Sequence, residues 1–363
     1  MALGAFLVVV YALISLIFLT RSFAPASITE EDEFLPTVSI VVPTFNEEAI
    51  ILQKLGDLMK LDYPPSKLEL IVVDSSTDGT AELIKAYTAR LPVRLIRETE
   101  RKGEAIALNI GYSNAKGEIV VKSDCDATSR DERALRELVS HFSDPHIGGV
   151  SCLYTGSNYD RTESGYRGLL QRLQCGESAF DSTVIAHGAF VGFRQSVLEP
   201  VSPDSAADDT ELFVKIRKKG YRCVVDERIV FSEIRPHEMS AVLSQRSRRA
   251  YGIIRVLFSN LGILFNRKYG RYGLLVFPSN FFMLALSPTL FVLTCAFLAA
   301  GLLLEIATWG ILMVGGAAAL MFLIVKYEMP KSIMAFARAQ EAALLGLFLF
   351  LSRKPKHVWA KAR

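Results

Sequence analysis

The sequence contains neither a Cys-x-x-Cys pair nor an even set of cysteines. Its five (Cys125, Cys152, Cys175, Cys223 and Cys295) fit a reducing compartment better than a disulfide scaffold. Neither sign of charge dominates: 41 Lys and Arg against 38 Asp and Glu give +3, so no broad basic face forms and no nucleic acid is expected as partner. No glycine-rich GxGxxG or Walker loop occurs. Charge is absent altogether from Gly273 to Leu304 and again from Ile306 to Val325.

Those uncharged runs are what the sequence has in excess. Hydrophobic residues make up 50% of the 363, and the mean hydropathy of +0.28 is too high for an ordinary soluble enzyme. Each run supplies the ~20 apolar residues needed to cross ~30 Å of hydrocarbon. A third, Leu3 to Leu19, is slightly short. Ala24-Pro25-Ala26 resembles a signal-peptide cleavage site, yet Met1 to Gly4 carries no positive charge and Arg21 follows the run. The run therefore reads as an anchor with Arg21 inside, which puts the middle of the chain in the cytosol. The last apolar stretch, Ile333 to Leu351, contains Arg338 and Glu341 and is followed by five basic and no acidic residues. A full crossing there would carry that basic tail outside, so an interfacial or re-entrant segment is expected.

Between the apolar runs lies one soluble domain. Val38 to Val42, Leu68 to Val73 and Ile119 to Val121 read as buried parallel strands. Helical segments are expected over 47–60, 81–90 and 104–115. This β-α-β-α-β alternation predicts a doubly wound α/β sheet, in which ligands bind beyond the carboxyl ends of the strands. After the first strand comes Pro43-Thr44-Phe45-Asn46-Glu47-Glu48, where Thr44 or Asn46 suits a helix cap. After the second, Asp74 stands where a ribose or base can be hydrogen-bonded, ahead of an Asp78-Gly79 turn. After the third comes Ser123-Asp124-Cys125-Asp126. In an extended backbone both carboxylates would face one spot, and two like charges so placed call for a cation such as Mg²⁺ or Mn²⁺.

Four ordered motifs carry a resemblance: Val42–Glu48, Val73–Thr80, Arg101-Lys102-Gly103-Glu104 with Ala105–Asn109, and Asp124-Cys125-Asp126. Together they resemble the family 2 glycosyltransferases, which have the GT-A nucleotide-sugar-binding fold. The resemblance spans Val38 to about Arg249. It implies that Thr44, Phe45, Glu47 and Asp74 form the nucleotide pocket and that Lys102 reaches the nucleotide. Asp124 would touch the ribose or diphosphate side, and Asp126 would bind the metal. Ala207-Asp208-Asp209-Thr210 opens an amphipathic helix ending at Gly220, and the resemblance makes Asp209 the base beside Asp208.

Gln245-Arg246-Ser247-Arg248-Arg249 resembles the Gln-x-x-Arg-Trp motif of processive polysaccharide synthases, with Gln245, Arg246 and Arg248 toward the diphosphate or acceptor. It departs from that motif at Arg249, which stands where a tryptophan would stack on an acceptor sugar. Those basic residues also suit an interfacial helix against anionic headgroups.

The expected order is therefore an anchor (1–22), a cytosolic GT-A domain (36–235), an amphipathic interfacial region (236–272), two membrane helices (273–326), and an interfacial or re-entrant segment with a basic tail (327–363). The expected activity is inverting, metal-dependent transfer from a nucleotide-diphosphate sugar, UDP before GDP, to a hydroxyl of a glycan or lipid-linked sugar at the cytosolic face of the cell membrane. The alternative acceptor is a polyprenyl phosphate, which is already anionic and has little need of a base. So few spans leave little protein to enclose a polymer channel, so the product is expected to be short unless a homo-oligomer builds the channel.

Overall fold

Eight strands form one sheet: β1 Val38–Thr44, β2 Leu68–Asp74, β3 Val93–Arg97, β4 Ile119–Lys122, β5 Ala127–Ser129, β6 Ile147–Gly156, β7 Val191–Arg194 and β8 Arg222–Glu233. Their order is β3-β2-β1-β4-β7-β6-β8-β5. The computed structural model describes residues 13–21, 34–88, 93–156, 161–233, 239–293, 296–297, 300–301 and 330–352.

The first four strands run parallel, and β1, β2 and β4 are the continuous β-branched runs expected of buried parallel strands. The register pairs Val38 with Leu68 and Thr44 with Asp74, so the two carboxyl ends finish level and present their loops on one edge. The other half is mixed. Strand β7 pairs antiparallel with β4 and β6, and β8 runs parallel to β6 through two register breaks. The doubly wound expectation thus describes β1 to β4 and not the curled second half.

Ten helical segments accompany the sheet: α1 (residues 13–19), α2 Ile51–Met59, α3 Thr80–Thr88, α4 Glu104–Asn114, α5 Ala134–Ser140, α6 Arg161–Phe180, α7 Asp208–Lys218, α8 Met239–Ser259, α9 Tyr272–Leu293 and α10 Pro330–Leu351. The expected starts of α4 and α7 match, and α7 is followed by Gly220 at φ +96°, a conformation glycine adopts without strain. Helix α2 begins later than expected. Neither Thr44 nor Asn46 caps it, because Thr44 ends β1 and Asn46 turns left-handed at φ +55°.

One apolar core lies on each face of the sheet. A third joins Phe18, Val184, Val214, Leu257, Tyr272 and Phe277, and so roots α1, α8 and α9 against the sheet domain. Two close approaches tighten it. A Cβ at Gly176 of α6 would lie 2.0 Å from the Phe18 carbonyl oxygen, and one at Gly252 of α8 would lie 2.6 Å from the backbone of Ala206. Only hydrogen side chains allow these backbones so near.

Among the described residues α9 is the one helix long and apolar enough to cross a membrane, with a mean hydropathy of 1.6 over its apolar window. It carries π turns at Tyr272–Val276 and Phe282–Leu286, a feature often found at functional sites. Helix α10 packs along α8, where a Cβ at Gly346 would meet the Tyr251 nitrogen at 2.7 Å and Phe350 stacks on Phe258. The expected span Ile306 to Val325 and the basic tail lie outside the described residues.

Candidate active site

The loops after β1 and β2 are knitted together by small polar side chains. Asp74 is wholly buried. Its Oδ1 accepts hydrogen bonds from Thr44 Oγ1 at 2.7 Å and Ser76 Oγ at 2.5 Å, and its Oδ2 takes the Arg97 guanidinium. The Asn46 backbone N–H donates to Ser76 Oγ at 2.7 Å, while Asn46 Oδ1 accepts from the Thr77 backbone at 2.9 Å. The Glu47 backbone donates to Thr80 Oγ1 and that of Gly79 to Glu48 Oε2. Asp74 is therefore bonded within this cradle, at the strand end expected from the sequence. Phe45 is covered by the Arg101 guanidinium, 3.8 Å from the ring centroid. Lys102 is exposed just ahead of α4.

Past β4 the backbone does not stay extended. The strand stops at Lys122, and the Ala127 N–H donates to the Asp124 carbonyl at 3.2 Å, which makes Asp124 to Ala127 a tight turn. The alternation that would aim Asp124 and Asp126 to one side is broken here. Both carboxylates still act electrostatically on the buried Lys54 ammonium, which donates to Ser123 Oγ and lies beside the Ala127 carbonyl. Burial pulls Lys54 down to about 8, against the opposing pull of Cys125, Asp124 and Asp126.

Lys122 is the residue sequence reasoning missed. It is 2% exposed, with its ammonium 2.7 Å from Asp208 Oδ2, 2.8 Å from Glu104 Oε1 and 3.3 Å from Asp124 Oδ1. One buried cation thus ties the end of β4 to the starts of α4 and α7. Burial alone would lower its pKa, but the three carboxylates raise it well above the usual lysine value. Lys122 holds Glu104 down at about 2. Burial pushes Asp208 up to about 7 despite Lys122, and raises Asp209 as well.

A cavity of about 560 Å³ gathers groups far apart in the chain: Asp124, Asp208 and Asp209, Arg246, Arg248 and Arg249. Thr44, Phe45, Glu47, Asp74, Lys102, Asp126 and Gln245 do not line it. The cradle and the cavity are thus neighbouring compartments that meet at Arg101, which lines the cavity and covers Phe45. Tyr154 stands in the cavity wall with Arg249 and Arg167 over its ring, at 5.7 and 5.1 Å, and His187 edge-on at 4.7 Å. His187 also bonds Gln174 Oε1 at 2.8 Å, and burial keeps its pKa down at about 3, so it is a neutral structural group. A Cβ at Gly188 would fall 2.9 Å from the Lys122 ammonium and 3.1 Å from Asp124 Oδ2, so glycine leaves that corner open.

The level strand ends, the knitted loops and the acidic turn after β4 belong to an α/β domain of the GT-A type. Residues 39–201 match the model described as Glycosyl transferase family 2. The chain is similar to the mannosyltransferase PcManGT from Pyrobaculum calidifontis, solved in complex with GDP-Man and Mn²⁺. The two are 27% identical with a TM-score of 0.79, over 97% of this chain and 99% of that one. The probable glycosyltransferase YdaM of Bacillus subtilis is 27% identical over 271 residues, covering 69% of this chain and 63% of its own length. Poly-beta-1,6-N-acetyl-D-glucosamine synthase of Staphylococcus epidermidis is 24% identical over 242 residues, covering 63% and 58%. The chain thus spans about three fifths of these two curated relatives.

Proposed function

We propose that this protein is an inverting glycosyltransferase that moves a sugar from a nucleoside-diphosphate donor to a hydroxyl of a glycan or lipid-linked sugar at the cytosolic face of the cell membrane. The observation that carries the reading is the single cavity that brings Asp124, Asp209 and Arg248 together from three distant segments.

In this reading the cradle of Thr44, Phe45 and Glu47 takes the nucleoside, with Asp74 fixing its shape from below, and Lys102 reaches in from the α4 side. Asp209 accepts the proton of the acceptor hydroxyl. The hydroxyl oxygen then bonds to the anomeric carbon as the bond to the diphosphate breaks, which inverts that carbon. A carboxylate so placed contributes roughly 10²–10⁴ in rate. Asp208, held by Lys122, positions this segment. Arg246 and Arg248 supply planar donors to the departing diphosphate, with Gln245 on the same helix.

Asp124 and Asp126 fit a divalent ion. They are hard oxygen donors, Asp124 in the cavity wall and Asp126 two residues further along the same turn. Such a pair suits Mg²⁺ or Mn²⁺ shared with donor phosphates better than a closed protein cage. An ion held by Asp124 and Asp126 would supply charge neutralisation at the leaving diphosphate. The Mn²⁺ in the related mannosyltransferase supports this reading, and its GDP-Man puts GDP-sugars beside UDP-sugars as donors.

Labelled UDP- and GDP-sugars supplied to membranes holding the full chain test the proposal. Turnover is expected with one donor class, lost on chelation, restored by Mg²⁺ or Mn²⁺, and lost in Asp209→Asn. Wild type and Asp209→Asn inactive alike with every donor would sink it.

A further inference from the structure

We infer that the acceptor is a lipid-linked sugar with an anionic phosphate linker: its sugar lies on the polar face of α6, its phosphate by Arg338, and its lipid against α9 and α10. This rests on the proposed transferase reading and deepens it.

The cavity does not end at the reacting groups. From Asp209 it continues along α6, where Gln171, Gln174 and Glu177 line it at intervals of three residues, the spacing that puts side chains on one helix face. Each is pinned by the protein. Gln171 Nε2 donates to the Tyr154 carbonyl at 2.7 Å, and Gln174 Oε1 is bonded to His187 at 2.8 Å. Glu177 accepts from Thr183 Oγ1 at 2.9 Å and from Asn280 Nδ2 at 2.7 Å. A primary amide has two donors and two lone pairs, and a carboxylate about four acceptor sites, so each keeps capacity for a further partner. Oriented amides beside the exposed edge of an aromatic ring suit sugar hydroxyls.

Beyond this stripe the lining turns apolar. Phe18, Leu173, Ile253, Met283, Leu284 and Ala343 close the far end, the methionine and leucine coming from the second π turn of α9. Sugar has no use for such a wall, and a hydrocarbon chain does. The same end carries one guanidinium, Arg338, on the face of α10 beside Ala339 and Ala342, while Glu341 on that helix is exposed. Around the whole cavity six arginines and Lys122 stand against five carboxylates. Arg246 and Arg248 on α8 are read against the donor diphosphate, whereas Arg338 on α10, a planar fork beside the apolar lining, suits a separate phosphate ester.

The test uses the full chain in nanodiscs and three probes: farnesyl-phosphate-linked glucose, octyl glucoside, and farnesyl phosphate without sugar. The phospho-linked sugar is expected to bind at least about tenfold more tightly than octyl glucoside, a difference that Arg338→Ala removes. Nucleotide-sugar binding should be unchanged in that variant. Ala343→Trp, which fills the apolar end, should weaken both farnesyl probes and leave the donor alone; it serves if Arg338→Ala does not fold. Equal binding of the phospho-linked sugar and octyl glucoside, or loss of neither in the variants, overturns the inference while donor turnover keeps the transferase reading. Glycosylation of farnesyl phosphate itself overturns it too, since the phosphate would then be the acceptor. Absence of nucleotide-sugar binding in wild type is the distinct result that removes the transferase reading.

Discussion

On the donor side of the site, two strands finish level and hand over two loops that hydrogen-bond each other through Thr44, Asn46, Ser76 and Thr80, about thirty residues apart in the chain. On the acceptor side, one buried ammonium gathers Glu104, Asp124 and Asp208, and the wall is completed by arginines from α6, α8 and α10. The first compartment is made of short-range bonds between adjacent strand ends around one buried ion pair, Asp74 with Arg97. The second is made of charges brought from across the fold. A local loss should therefore weaken the donor side in proportion, whereas removal of one charge on the acceptor side strands several others.

The largest expected effect is on chemistry. Asp209→Asn should lower kcat by roughly 10²–10⁴ while donor affinity, measured by titration calorimetry, stays near wild type. Next comes Lys122→Met, which leaves three carboxylates without their shared cation. Breaking a buried ion set costs about 3–5 kcal/mol, read by urea unfolding, and adding Asp208→Asn should recover part of it. Full additivity of the two would break the picture of one shared cluster.

A third prediction uses acid. Burial alone would raise the Asp226 pKa, but hydrogen bonds from His141 at 2.7 Å and Arg228 hold its carboxyl down at about 2. A depressed carboxylate stabilises the fold above its unfolded pKa near 4 and loses that contribution as pH falls toward 2. About 2–3 kcal/mol should disappear across that window, and Asp226→Asn should flatten the slope. The smallest effects belong to the donor side. Ser76→Ala removes the bridge between Asp74 and Asn46 and should raise the donor KM several-fold, about 1 kcal/mol, with kcat unchanged. Arg101→Ala uncovers Phe45 and should cost about 0.5–1 kcal/mol of donor binding. A collapse of kcat in Ser76→Ala would show that the two compartments are not separate.

Legibility divides along the same line. β1, β2 and β4 were readable because each is a continuous β-branched run, and the order of motifs along them pointed to the fold. β3 was not, since only Val93 of its five residues is buried. The reading of Asp124 and Asp126 assumed an extended backbone and met a turn. Asp74 was placed at the right strand end, but of its three partners only Ser76 is local, and the sequence does not show that Thr44 and Arg97 join it from neighbouring strands. Lys122 did leave a signal: a lone charge closing the buried run Ile119-Val120-Val121, two residues before an aspartate. The stripe Gln171, Gln174, Glu177 left one too, a polar row at helical spacing, but nothing local says that the row faces a cavity.

Gly252 has a practical consequence. Helix α8 touches bare backbone at Ala206, two residues ahead of Asp208, with no side chain between them to absorb a shift. Trimming the carboxyl-terminal helices to obtain a freely soluble catalytic fragment would uncover the segment that sets the aspartate pair. Such a fragment should still grip its nucleotide and yet have lost its turnover.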